Sequence, residues 1–271
     1  MRYSSEKSVE FLVVLDVIFA LLLVLSGAFS GFMSTVVYII AFILPIFIGI
    51  YSTREISSAK SFLGASGIKA AAPFIAPTIG AVMLIAFITS LLISLITGKN
   101  NEVDLGDNLF VAILSHTLLP AILEEALFRF VPMRALKGKN WSVTIFYSAL
   151  FFALIHHSLF SMPYAFIAGV VFMTINLAFD SVWPSVIIHF LNNAMSVLFI
   201  FYGEYSVFTI AVIGGIVILS IVSIIYIAKN FKKYEKIKEK ITDLSDLKSA
   251  PPKEIWLLAI PMLALAVMEL I

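Results

Sequence analysis

The chain has 271 residues, 61% of them hydrophobic and 13% charged, with a mean hydropathy of +1.05 and a formal net charge of +1. Soluble domains carry about 25% charged residues, so a water-coated globule is excluded. The absence of cysteine removes disulfides, thiolate chemistry and cysteine-rich zinc sites, and no nucleic-acid partner is expected.

A membrane-spanning helix needs about 20 apolar residues. Segments that meet or approach this length run over 8–30, 33–51, 70–96, 109–133, 142–162, 163–179, 182–202, 204–228 and, more briefly, 255–271. The expectation is therefore an all-α, polytopic helical bundle of eight to nine membrane helices. It forms a single integral membrane domain over 1–271, without an internal repeat. The first apolar stretch is too long for a signal-peptide core and reads as the first span. Pro45, Pro77, Pro120 and Pro184 fall inside the runs, which membrane helices tolerate when neighbours supply the lost backbone hydrogen bonds.

Charge gives a direction. Arg2, Lys7, Arg54, Lys60, Lys69, Arg134, Lys137, Lys139 and eight lysines from Lys229 to Lys253 all fall on one side of the alternating spans. The opposite loops hold Lys99 among Glu102, Asp104 and Asp107, together with Glu204. By the positive-inside rule the N-terminus is expected in the cytoplasm of an integral, multi-pass cell-membrane protein. Between 229 and 248, Phe231, Tyr234, Ile237, Ile241 and Leu244 recur every three or four residues among lysines and glutamates. That pattern predicts an amphipathic helix on the cytoplasmic leaflet, or equally a solvated connecting helix.

Ionisable residues at bilayer depth are costly and point to function. The fourth span holds Glu124, Glu125 and Arg129, the fifth His156 and His157, and the seventh His189, Asn192 and Asn193. Glu125 and Arg129 are four apart and can pair on one helix face, as His189 and Asn193 share another. Glu124 points roughly 100° away from Glu125. From the cytoplasmic ends of their helices, Glu124 lies ~15 Å in, His189 ~10 Å, Asn193 ~16 Å and His156 ~21 Å. Side-chain reach allows the four to converge, in the middle to cytoplasmic part of the bilayer. Within such a set, a carboxylate and an imidazole can deprotonate a water, and a second imidazole with an amide can donate to a tetrahedral oxyanion. With no Ser or Cys nucleophile among them, water is the natural attacker.

The three motifs Glu124-Glu125-x-x-x-Arg129, Phe152-x-x-x-His156 and His189-x-x-x-Asn193, in that order, resemble those of the CAAX prenyl protease type 2 and bacteriocin-processing family, also called ABI or CPBP. The resemblance covers 124–193, within a motif-bearing core at about 109–202. It implies an all-helical intramembrane endopeptidase with a conical cavity open to the cytoplasmic leaflet, into which the C-terminus of a prenylated (CAAX-type) or other membrane-tethered substrate enters. By motif position it implies that Glu124 and His156 activate the water, that His189 and Asn193 hold the oxyanion, and that Glu125 and Arg129 support them. Membrane lipid and a lipidated or tethered polypeptide are the implied partners. Phe130 departs from the glycine that often follows the arginine, and His157 doubles the histidine; His156 is preferred because Phe152 precedes it by four.

Other protease signatures fit less well. His-Glu-x-x-His is missing, against a zincin. Gly64-Ala65-Ser66-Gly67 spells a rhomboid-type motif but in a polar, basic loop, where it reads as a flexible turn. Gly106-Asp107 lacks the preceding residues of presenilin-like aspartyl proteases. His116, eight residues or ~12 Å from Glu124, reads as lying near the outer surface. No metal is expected, although Glu124, His156 and His189 would be the ligands if zinc were bound. The alternative to a protease is a proton- or ion-coupled transporter, or an immunity or assembly factor, that uses the same buried polar cluster. A transporter would favour inverted repeats, and none is visible.

Overall fold

A computed structural model of the chain describes residues 5–58, 62–98, 105–138, 141–156, 158, 160–232 and 234–235. Eight helices make up the described part: α1 (Ser5–Gly27), α2 (Gly31–Ser52), α3 (Ala65–Thr97), α4 (Leu109–Ala135), α5 (Trp141–Leu154), α6 (Met162–Phe179), α7 (Trp183–Tyr202) and α8 (Ser206–Lys229). No strand is present among the described residues. All of these helices except the 14-residue α5 are long and apolar enough to cross a membrane. The expected helical bundle is thus observed. The ninth segment, at 255–271, and most of the amphipathic stretch lie outside the described residues. Tyr234 is buried, its ring edge-on to Phe74 of α3 at 5.2 Å.

The chain alternates, so the helix ends form two sets. At one end, residues 53–58, 62–64, 136–138 and 180–182 meet. Arg134 donates to Thr53 Oγ1 at 3.0 Å and to the carbonyls of Ile50, Ser57 and Ser58. The Val182 N–H donates to the Phe62 carbonyl at 2.9 Å, and Ser181 Oγ to that of Gly64 at 3.1 Å. Arg134 is therefore not the loop charge its sequence position suggests. It is fully buried, and its cation caps the carbonyl-rich C-terminus of α2. Gly64–Gly67 is also corrected. Gly64 is the N-cap of α3, and Gly67 lies buried in its first turn, where an added Cβ would sit 2.4 Å from the Ser181 Cβ. The glycine permits helix-to-turn contact; it is not part of a flexible loop.

The core joins α1, α2, α4, α5 and α6 through Leu12, Phe19, Phe42, Phe128, Phe151 and Phe152. At the α5–α6 crossing, a Cβ on Gly169 would fall 2.7 Å from the Ala149 Cα, so only glycine lets these two helices approach so closely. The α3 helix packs on both α7 and α8. The α8 helix buries none of its own residues and presents a face suited to lipid.

Two prolines shape α4. It contains π-helical turns at Leu114–Leu118 and Ala126–Phe130, each followed by a segment that opens on a proline, Pro120 or Pro132. Proline has no N–H for the carbonyl four residues earlier. For Pro132 that carbonyl belongs to Phe128, and Ser148 Oγ of α5 donates to it at 2.6 Å. For Pro120 it belongs to His116, and Asn193 Nδ2 of α7 donates to it at 3.3 Å. Neighbouring helices thus replace both lost bonds, the condition under which membrane helices tolerate proline.

Candidate active site in the membrane

The site begins with the stretch of α4 held between its two π turns. π turns frequently mark functional sites, and here they bracket Leu119–Glu125, which ends on the two glutamates. Glu125 and Arg129 form the expected ion pair, at 3.2 Å with both side chains fully buried. The guanidinium carbon of Arg129 sits 3.8 Å from the centroid of the Phe152 ring and 5.5 Å from that of Phe172. Burial of this cation is offset by one carboxylate and by aromatic faces, which attract cations more strongly when water is excluded. Phe130 is also buried, with the Arg134 guanidinium over its ring at 5.3 Å. The residue that departs from the family pattern therefore has a packing role of its own.

His189 reaches α4 from α7. Its Nδ1 lies 2.9 Å from Glu125 Oε1 and its Nε2 lies 3.8 Å from Glu124 Oε2. The first distance is a hydrogen bond. The second is too long for one and is suited to a bridging group. Phe152 touches the His189 ring edge-on at 5.6 Å and the His156 ring at 4.9 Å. The aromatic position of the second motif therefore contacts a guanidinium and two imidazoles at once. Sequence spacing alone does not reveal this.

His156 departs from its expected place. Helix α5 ends at Leu154 instead of running to 162, so His156 lies in the turn that follows and not deep in a span. Its Nδ1 meets the Phe152 carbonyl at 2.8 Å. A carbonyl can only accept, so Nδ1 carries the proton, and in the neutral ring Nε2 holds the lone pair. The same residue, Phe152, that precedes His156 by four in the motif thus accepts its hydrogen bond; His157 lies outside the described residues.

Glu124, His156, His189 and Asn193 all line one cavity of about 900 Å³, with Asn192, Tyr38, Tyr164, Phe152 and Phe172 also in its walls. The Glu124 side chain is largely buried, and its Oε2 meets no hydrogen-bond donor among the described residues. His116, exposed and in the half of α4 remote from the basic loops, lines this cavity too. The position of the cavity along the bundle differs from the expected one. Its walls are Ser26 of α1, Tyr38 of α2, Ser90 of α3, Ser115 of α4, Ser161 before α6 and Ile200 of α7. These residues belong to the halves of the helices remote from the basic loops. The cavity therefore lies in the halves of the bundle away from the charge-rich end, which the hydrogen bonds of Arg134 and Ser181 tie together.

No three His, Asp or Glu side chains among the described residues are arranged to hold a metal ion. Asn192 was not singled out as a site residue, although it neighbours Asn193 and donates to Asn193 Oδ1 at 3.4 Å. Asp16 was overlooked as well. It is a buried acid in α1, hydrogen-bonded by the Tyr147 hydroxyl of α5. The rule that flags ionisable residues inside spans applies to it equally.

Residues 106–195 match the Rce1-like family. That model is described as type II CAAX prenyl endopeptidase Rce1-like, and the match covers about a third of the chain. It contains all three motifs, so the resemblance read from them holds over this segment. Comparison with curated proteins and with solved structures gives no match. The long apolar helices and this segment together make the chain an integral, multi-pass membrane protein, 106–195 of which resemble the Rce1-like family.

Proposed function

We propose that the protein is an intramembrane endopeptidase that hydrolyses a peptide bond near the C-terminus of a prenylated (CAAX-type) or other membrane-tethered substrate. The observation that carries this reading is the convergence of Glu124, His156, His189 and Asn193 on one cavity in the segment that resembles an endopeptidase family.

The chemistry follows from hydrogen-bond capacity. Glu124 Oε2, without a donor from the described residues, accepts a proton from a water whose oxygen attacks the substrate carbonyl carbon. His156, its Nδ1–H given to the Phe152 carbonyl, lines the same cavity and is the second group proposed to orient this water. His189 Nδ1 is bonded to Glu125, so its Nε2, 3.8 Å from Glu124 Oε2, is the atom that donates to the oxyanion when the ring carries both protons. The Asn193 amide has two N–H bonds, one given to the His116 carbonyl and the other left for the tetrahedral oxyanion. Collapse of that intermediate breaks the C–N bond, and Glu124 returns its proton to the leaving amine. Glu125 and Arg129 touch none of the reacting atoms and hold His189 in place.

The test is cleavage of membrane-tethered peptides, prenylated and unprenylated, by the full-length protein in lipid bilayers. Wild type is expected to cut one class and Glu124→Ala neither. Equal turnover by both proteins would remove the hydrolase reading.

A further inference from the structure

Asn193 can serve as an oxyanion donor only if its amide is held one way round. Nδ2 donates and Oδ1 only accepts, so half a turn about the last side-chain bond would replace the donor by an oxygen that repels developing negative charge.

Two contacts oppose that turn. Asn193 Nδ2 donates to the His116 carbonyl of α4 at 3.3 Å. A carbonyl never donates, so the turned amide would set two oxygens against each other. At the other end of the amide, Asn192 Nδ2 donates to Asn193 Oδ1 at 3.4 Å and engages the acceptor. Asn192 is buried and lines the cavity beside Asn193. With both ends engaged, the second N–H of Asn193 is the group left for a ligand.

This polarity starts at a proline. In a regular helix the His116 carbonyl would accept from the N–H of residue 120, and Pro120 has none. A carbonyl deprived of its helical donor inside a membrane bundle takes one from a neighbouring helix. Here that helix is α7, and the donor is the amide of the third motif.

We infer that Pro120 and Asn192 are positioning residues of the oxyanion site. Pro120 frees the carbonyl that draws Asn193 Nδ2, Asn192 holds Asn193 Oδ1, and the remaining Asn193 N–H is thereby kept for the scissile carbonyl oxygen. Neither residue touches a reacting atom. Their effect on cleavage rests on the hydrolase reading above; the hydrogen bonds do not.

The test is kcat and KM for cleavage of a membrane-tethered peptide by the full-length protein in lipid bilayers. Asn192→Leu removes the donor at similar volume and is expected to lower kcat by about 2–10-fold, the worth of one hydrogen bond, with KM little changed. Pro120→Ala returns a competing backbone N–H to the His116 carbonyl and should act in the same direction. In an Asn193→Ala background neither substitution should lower kcat further, because no amide is left to orient; residues that act as one unit are non-additive in this way. A merely structural role would instead give effects that multiply. Asn192→Leu acts from α7, so it decides the matter even where Pro120→Ala fails to fold. Wild-type kcat in Asn192→Leu, a change in KM alone, or an undiminished effect in the Asn193→Ala background overturns the inference, and the hydrolase reading stands as long as Glu124→Gln is inactive. Cleavage by Glu124→Gln at the wild-type rate, or none by wild type, overturns both.

Discussion

Ser148→Ala tests whether the proline-bearing helix α4 depends on its neighbours as the geometry indicates. Ser148 and Phe128 are both buried, and the 2.6 Å bond from Ser148 Oγ supplies the Phe128 carbonyl with the donor that Pro132 lacks. Hydrogen bonds between membrane helices average only about 0.6 kcal/mol, with a maximum of about 1.7. Leaving a buried acceptor without any partner costs about 1–3 kcal/mol. Both residues are buried, so the loss should lie where the two ranges overlap, at about 1–2 kcal/mol. The partner variant is Pro132→Ala, which restores a backbone N–H four residues after Phe128. Alone it should change stability little; combined with Ser148→Ala it should recover at least half of the loss. Reversible unfolding of the full-length protein in mixed micelles, run as a double-mutant cycle, measures both quantities. If Ser148→Ala unfolds like wild type, or if Pro132→Ala gives no recovery, the substituted-donor explanation of this helix is wrong.

Further predictions concern the chemistry. Glu124→Gln should leave the fold intact and lower the cleavage rate by about 10²–10⁴-fold, the usual contribution of a positioned general base; single-turnover assays on a tethered peptide would show it, and a small effect would remove Glu124 from that role. Asn193→Ala should lower kcat by about 10²–10³-fold, as loss of an oxyanion donor does. A change in KM alone would instead assign Asn193 to substrate binding. Exhaustive treatment with a chelator should leave activity unchanged, because the proposed water is held by side chains; loss of activity restored by added zinc would refute that mechanism.

Much of the bundle is written in hydropathy. Each apolar run from 8–30 to 204–228 appears as a helix within a few residues, except where α5 stops at Leu154 and α3 begins at Ala65. Those two boundaries were obscured for different reasons. The apolar run predicts a helix to 162, yet Ile155 and His156 already form a turn. Ala65–Lys69 looks like a polar loop but is ordered by packing of Gly67 against the turn after α6. The site was legible as far as local periodicity reaches: Glu125 and Arg129, four apart, do pair. Contacts that cross helices were not legible, such as those of Phe152 with Arg129 and His189, or of Asn193 with the carbonyl that Pro120 leaves without a donor.

By itself, then, the sequence determined that this chain lives in a membrane, where most of its spans lie, and that Glu124, Glu125, Arg129 and His189 fall inside them. These follow from one-dimensional quantities: the transfer cost of apolar and charged side chains, and the distribution of lysine and arginine. Which halves of the helices line the cavity was decided only by the tertiary structure. Depths counted along individual helices placed the site toward the basic loops. In the packed bundle that end is tied together through Arg134 and Ser181, and the cavity is lined by the other halves of the helices. Which side chains share a cavity is a property of helices packed together, and no single span carries it.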